Sequence, residues 1–429
     1  MKRAIALLLV LVLLTTTVAM TVGCSRNDDQ ERLVIWSFMN QGEPIGLWHQ
    51  QVTDRFMELY PDVDVELVFA GREVLTQFAA QLQDRDSRDF PDLISQGTGA
   101  MNPLAAEGLF MPLDEFFATE MNLVGNEVWG QTFVPGLMET IKFEGRSYYV
   151  PEGLYITGIF YDEVMFERFG LEVPTTWDEL MEISEILLAN GIAPFALDGA
   201  VDQYNAWWWI RFADRLVGTE RLNQAAAGEI SFRDHPGFLE AARYVYTIQD
   251  RGFFQSGFAG SIFPAAQVLW VQGRAAMFFC GAWIPSEMAE QTPPEMRMQM
   301  FPIPEIPNSY SPWSEEVWSN VFAVTTDGRN TEHAINWLRI KSSEEFQDKK
   351  VDLKNPTVLV TGNTVPELRE TVNIVNNATS TSGIYADLQM HGAWMMTILN
   401  PLATDLILGR ITPEVFIDRL ATDTELFHN

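Results

Sequence analysis

Two hydrophobic periods take turns along the first hundred residues of the chain. Leu33 to Ser37, Asp64 to Phe69 and Asp92 to Ser95 are short runs rich in apolar and β-branched residues, the pattern of buried strands. Between them, Ile45 to Tyr60 and Glu73 to Gln83 place apolar residues three and four apart, the spacing of an amphipathic helix. Pro61-Asp62 marks the turn out of the first helix, since Pro cannot continue one. Strands alternating with helices predict a doubly wound α/β lobe. Ligands of such open sheets lie beyond the carboxyl ends of the strands, here the loops after Trp36 and Ile94.

A second pattern fills Gly145 to Leu180. The run Ile156 to Tyr161 reads as a strand, Asp162 as the N-cap of a short helix, and Gly170 as the residue that closes it. Pro174 blocks helical continuation, and Thr176-Trp177-Asp178-Glu179 is a capping box ahead of the apolar positions Leu180, Ile183 and Leu187. Helical spacing returns at Thr176 to Ala189, Gln203 to Val217 and Pro236 to Arg251, and Arg274 to Cys280 is an apolar strand. These elements predict a second lobe after Pro151.

The segment Gly145 to Leu180 resembles the crossover region of extracellular solute-binding proteins of the maltose-binding type, the sugar receptors of ABC importers. Further blocks are similar in order and spacing: Leu33-Val34-Ile35-Trp36 to the first strand, Phe90 to Ile94 to the third, Gly108 to Asp114 to the loop after it, Gly273 to Trp283 to a strand and turn, and Thr331 to Gln347 to a helix. The resemblance implies an α/β, two-lobe periplasmic-binding-protein-like fold of type II, with discontinuous lobes joined by a three-crossing hinge. It implies a first lobe of residues 32–150 and 282–341 and a second of 151–281 and 342–429, with the ligand in the cleft between them.

At the amino end, Lys2 and Arg3 precede an uncharged run from Ala4 to Val22, and Thr21-Val22-Gly23-Cys24 follows with small residues before a Cys. Residues 1–23 therefore read as a lipoprotein signal peptide, Cys24 as the acylated residue and 24–31 as a tether; an uncleaved membrane anchor is the other reading of the same run. Thr21 stands where Leu is usual. Cleavage leaves Cys280 as the single free thiol, so no intrachain disulfide is available. The expected location is extracytoplasmic, lipid-anchored to a membrane.

The full chain of 429 residues carries a formal charge of −30, and loss of Lys2 and Arg3 takes it to −32. That acidity, with no basic run, excludes a polyanion-binding surface and nucleic acid as a partner. The length exceeds what one core usually serves, again predicting two domains.

Thirteen Trp residues suit sugar chemistry. Sugar rings present C–H patches that aromatic faces cover, and hydroxyl edges that carboxylates and amides bind. By the resemblance, Trp283 and Trp394 occupy ring-stacking positions, and Tyr155 a cleft-facing one. Asn40 and Gln41 after the first strand, and Gln96 and Thr98 after the third, fall where first-lobe polar contacts are made. Trp207-Trp208-Trp209 point about 100° apart on a helix, so that at most one or two of them reach a cleft, Trp207 and Trp208 being the candidates. Asp198 can accept hydroxyl hydrogen bonds or form an Asp-Gly turn with Gly199. Trp318 and Asn320 precede the strand Val321 to Thr325 and can line the cleft.

Catalytic patterns are weak. His49, His235, His333, His391 and His428 are scattered without metal-ligand spacing, no nucleophile elbow or phosphate loop occurs, and Cys280 lies in an apolar strand. A binding protein without cofactor, metal or enzymatic activity is expected. Its partners would be a mono- or oligosaccharide, the permease subunits of an ABC transporter and a membrane reached through the lipid anchor, and the chain would be monomeric. The competing expectations are a receptor for a polyol or quaternary amine, the latter caged by aromatic rings, and a secreted carbohydrate-active enzyme.

Overall fold

The computed structural model describes residues 31–363 and 365–429. The expected signal peptide, the expected tether up to Gln30 and the expected acylation at Cys24 lie outside the described residues.

Local signals and structure agree closely. The strand–helix alternation appears as β1 (Arg32–Ser37), the helix Pro44–Leu59, β2 (Asp64–Phe69), the helix Val74–Gln81 and β3 (Leu93–Gly97). The Asp162 side chain accepts from Val164 N, and Gly170 closes that helix at φ 66°. Thr176 and Glu179 form the reciprocal capping box of the helix Trp177–Ala189.

Two sheets build the two lobes. The first has the order β2-β1-β3-β10-β4, with β4 at Tyr149–Pro151 and β10 at Asn320–Val324. Its first three strands are parallel, whereas β10 runs antiparallel to both β3 and β4. The second sheet has the order β11-β9-β5-β7-β6, with β8 also paired to β5. Its strands are β5 (Tyr155–Asp162), β6 (Ala193–Ala196), β7 (Ala275–Gly281), β8 (Met298–Phe301), β9 (Ser314–Trp318) and β11 (Ser380–Ser382). The fold is α/β and of the two-lobe type II kind.

The lobe boundaries differ from those implied by the resemblance. β8 and β9 pair within the second sheet, so the return to the first lobe occurs at Ser319, between β9 and β10, and not after Gly281. The next crossing also lies later than Ser342. Trp48 Nε1 still donates to Phe346 O at 2.8 Å and Val360 N to Thr132 O at 2.9 Å, both within the first lobe, while Pro366 O accepts from Gln299 in the second. Strand pairing and not motif order decides membership, because a strand's backbone groups must find partners.

The second lobe is organised by the helix Asp202–Val217, in which every residue from Asn205 to Val217 is buried. Its charges survive burial only as a network: Arg211 pairs with Asp214 at 3.0 Å, and Arg215 with Glu315 at 2.7 Å.

The hinge holds a second buried charge cluster. Glu152, in the first crossing, accepts from His49 Nε2 at 2.5 Å, and the opposite ring nitrogen meets Ser37 Oγ at 2.9 Å. Lys341 donates to Pro151 O at 2.8 Å, and Lys350 donates to Glu152 O. Burial pushes the Glu152 carboxyl up, yet His49, Lys341 and Lys350 together hold it below its usual range. Burial lowers Lys341 to about 8 and, together with the Lys341 charge, holds Lys350 well below the ordinary lysine value.

Two outcomes follow from this cluster. Glu152→Ala removes the buried carboxylate opposite the Lys341 and Lys350 side chains, and at pH 7 should cost about 3 kcal/mol, seen as a lower urea midpoint with an unchanged slope. A folded pKa for Lys341 below its ordinary 10.5 means that its contribution is present above that pH and is lost as pH falls through about 8. Unfolding free energy measured across that window should therefore rise with pH more steeply in the natural chain than in Lys341→Met.

Candidate functional site

The carboxyl ends of the first sheet face the second lobe across a cleft with two chambers, of about 780 and 480 Å³. Phe38, Trp318 and Asn320 border both. Since β9 and β10 are separated by Ser319 alone, Trp318 and Asn320 stand at the junction of the two sheets.

The smaller chamber has an aromatic wall. Tyr155 donates its hydroxyl to Asn355 Oδ1 at 2.9 Å, which fixes the ring 6.0 Å from that of Trp318. The Trp283 ring lies edge-to-face with Trp318 at 5.7 Å and parallel to Trp207 at 6.0 Å, with 12° between their planes. Glycine is required beneath it: a Cβ on Gly281 would lie 2.0 Å from the Trp283 ring. On the first-lobe side, Arg72 holds its guanidinium 4.3 Å from the Phe38 ring centre and pairs with Glu43 at 3.1 Å.

The larger chamber is lined by amides and hydroxyls. Gln96 and Thr98 follow β3, and Asn102 stands one helical turn beyond Thr98. Thr98 Oγ1 donates to Ser319 O at 2.9 Å, and Gln96 Oε1 accepts from Gly97 N at 2.8 Å. The second lobe supplies Gln203, Asp387, Gln389 and Asn400. Asn400 is 8% exposed and its Oδ1 has no hydrogen-bond partner among the described residues. Burial raises the Asp387 carboxyl, which accepts from Gly383 N at 3.0 Å.

Four carboxylates, Glu43, Glu139, Glu287 and Asp387, and one guanidinium, that of Arg72, border the chambers. No Lys or His among the described residues does so. Among the described residues no group of three His, Cys, Asp or Glu is arranged to hold a metal.

The structure brings Gln96, Thr98, Tyr155, Trp283, Trp318 and Asn320 to the cleft and places the other candidates elsewhere. Asn40 and Gln41 are exposed and border neither chamber; Asn40 Nδ2 bonds Glu43 Oε1 at 2.7 Å, and Phe38 and Met39 reach the cleft in their place. Asp198 is 1% exposed and serves structure, its Oδ1 accepting from Ser261 Oγ at 2.6 Å and Ala266 N at 2.9 Å. Trp207 stands behind Trp283 and away from the cleft surface, and Trp208 is packed against Phe195, Phe254 and Phe279. The stacking position expected at Trp394 is a correction too. Its ring lies parallel to Phe232 with 4° between planes, and its Nε1 donates to Thr424 Oγ1 at 2.8 Å, deep in the second lobe. A π-turn at Met395–Leu399 follows directly, and it is Met395 and Met396 that border the larger chamber.

The sequence reading missed Asn102, Gln203, Asp387, Gln389 and Asn400. Asn102 was within reach, at helical spacing from Thr98. Tyr385, Ala386 and Asp387 carried no signal, because all three have positive φ (57°, 52° and 63°) without a glycine among them.

Core and cleft tryptophans should separate on mutation. Trp394→Ala should cost about 3 to 5 kcal/mol of stability, as a buried large-to-small change does. Trp283→Ala, on a half-buried ring, should leave the urea midpoint within about 1 kcal/mol of the natural chain. Denaturation curves of the two variants check the assignment, and equal losses would contradict it.

A family model described as bacterial extracellular solute-binding protein matches residues 42–346. The diacetylchitobiose binding protein NgcE of Streptomyces coelicolor is 24% identical over 231 residues, 53% of this chain and 49% of the relative. The osmoprotective compounds-binding protein GgtB of Synechocystis is 24% identical over 327 residues, 70% of this chain and 71% of the relative. The match spans about half the length of the first of these. The apo form of RafE from Streptococcus pneumoniae superposes with a TM-score of 0.75 at 18% identity, covering 93% of this chain and 99% of that one. That likeness carries the fold alone. The family match takes in both crossings at Glu152 and Ser319 and the aromatic wall between them, and by it this chain belongs to the bacterial extracellular solute-binding proteins.

Proposed function

We propose that the chain is the receptor of an ABC importer for a neutral oligosaccharide. It is tethered outside the cytoplasm through acylated Cys24, closes its lobes on the sugar and delivers it to a membrane permease. The observation that carries this reading is the Trp283 ring, held against Gly281 and backed by Trp207, beside chambers lined with amides and hydroxyls. Such a ring covers the C–H face of a pyranose, and the unpartnered Asn400 Oδ1 takes a hydroxyl. The excess of carboxylates over guanidinium at the cleft disfavours acidic sugars. RafE has been captured with raffinose and a sugar transporter of Bacillus licheniformis with stachyose, while the receptor AcbH is described as preferring galactopyranose; these neighbours support a sugar, and two chambers of about 780 and 480 Å³ support more than one ring.

The aromatic wall and the carboxylates of the smaller chamber also suit a compact polyol or quaternary amine, and GgtB, named for osmoprotective compounds, favours keeping that reading in the test.

Thermal-shift screening against raffinose, stachyose, chitin oligosaccharides, polyols and betaines decides between them, because a ligand that binds only the native state raises Tm. An oligosaccharide should give the largest shift and be recovered intact, and Trp283→Ala should weaken its binding about thirtyfold, near 2 kcal/mol. Largest shifts from betaine would move the assignment to the amine, and consumption of the sugar would replace the receptor by an enzyme.

A further inference from the structure

Behind the aromatic wall lies a carboxylate that touches no ligand surface. Glu316, on β9 two residues before Trp318, is fully buried and accepts three hydrogen bonds. Its Oε2 takes Trp207 Nε1 at 2.8 Å and Thr157 Oγ1 at 2.9 Å, and its Oε1 takes Ala386 N at 3.1 Å. Each donor belongs to a different element. Trp207 is the ring on which Trp283 stacks. Ala386 is the middle of the left-handed run Tyr385 to Asp387, a backbone state that residues with a Cβ adopt only when the surroundings enforce it. The enforcing contacts are few: Glu316 on Ala386 N, Asn223 Nδ2 on Ala386 O at 2.8 Å, and Gly383 N on Asp387 Oδ1 at 3.0 Å. Tyr385 closes the arrangement with its ring 4.9 Å from that of Trp207. The aromatic wall of one chamber and the Asp387–Gln389 wall of the other thus hang on the same side chain.

We propose that Glu316 is the positioning residue of the cleft: its carboxylate aligns the Trp207–Trp283 stack with the Tyr385–Asp387 turn, and the two walls are held in register only while it is ionised. Protonation converts one acceptor oxygen into a donor. The three groups that point at this carboxyl are donors themselves, and of these only the Thr157 hydroxyl can turn to accept; the indole and the backbone N–H cannot. The charged and titratable groups around it are Arg211 and Asp214 from the helix Asp202–Val217, with Arg215 and Glu315 completing their network, and Tyr385 from the turn. Arg211 favours the ionised form and Asp214 opposes it, while burial outweighs both and pushes Glu316 up to about 7. The Tyr385 phenol is pushed up by burial and stays neutral across this range. The folded value lies above the ordinary 4.5, so Glu316 contributes most to stability below that pH, and the contribution is lost as pH rises through about 7. Order in the cleft and the Glu316 contribution to stability therefore move in opposite directions with pH.

The test uses ligand-free protein. The proposal rests on the receptor reading only for where the cleft lies, so either can fail with the other intact. Tryptophan indole N–H resonances and backbone hydrogen exchange are followed between about pH 5.5 and 8.5 in the natural chain, in Glu316→Gln and in Glu316→Ala. In the natural chain, the Trp207 and Trp283 signals should move together with one midpoint near 7. Exchange in residues 383–389, corrected for its intrinsic pH dependence, should slow about tenfold towards the alkaline side. In Glu316→Gln, which keeps an acceptor for Trp207 but none for Ala386, the midpoint should vanish and the turn should exchange fast at every pH; Glu316→Ala should also displace the Trp283 signal. If Glu316→Ala does not fold, Glu316→Gln decides alone. A Trp207 shift with Trp283 and residues 383–389 unmoved by pH or by the Gln variant would overturn the proposal and leave Glu316 a buried acceptor only.

Discussion

The structure turns on the two places where the chain leaves one sheet for the other side by side. Glu152 and Gly153 donate their backbone N–H groups to Ser319 Oγ at 3.0 and 3.2 Å, and Ser319 Oγ donates in turn to Asn320 O at 2.5 Å. One hydroxyl therefore stitches both crossings. The joint is buried, and the ionisable groups around it, Glu152 with His49, Lys341 and Lys350, exclude arrangements that would separate them, because an uncompensated buried charge is costly.

The cleft inherits its chemistry from that joint. Trp318 ends a strand of one sheet and Asn320 begins a strand of the other, so an aromatic face and an amide are delivered to the meeting point of both chambers by backbone hydrogen bonding alone. Outward from Trp318 the wall is layered: Trp283 over Gly281, Trp207 behind it, and Glu316 holding the Trp207 indole. From Trp283 inward, each layer is less exposed than the one before. A preorganised ring loses little freedom when a ligand lands on it, and affinity is gained that way more than by contact area.

Much of the fold was legible because the determining interactions are short in sequence. The Thr176–Glu179 capping box, the Asp162 cap and the Gly170 terminus involve residues within four positions of one another, and side-chain chemistry alone decides them. The first-lobe strands were legible for the same reason, their apolar runs being bounded by turn residues. Membership of β8 and β9 in the second sheet was not, since it depends on pairings such as Ile159 with Phe301 and Tyr155 with Trp318, between positions far apart in the chain.

For the cleft, the sequence by itself determined which chemistry was on offer: many aromatics, amides after β3, and a glycine placed to admit the Trp283 ring. Which of those groups face the ligand was decided only by packing. Trp283 and Trp394 are the same residue type in equally apolar surroundings, yet one rests on Gly281 at the chamber and the other on Phe232 in the core. The difference lies in what each ring meets across the fold. The left-handed turn that carries Asp387 is the extreme case, being unfavourable for Tyr, Ala and Asp on their own and existing only where Glu316 and Asn223 hold its backbone from outside. Local propensity cannot encode a conformation that is stable only once distant partners have arrived, and so this part of the site belonged to the tertiary structure.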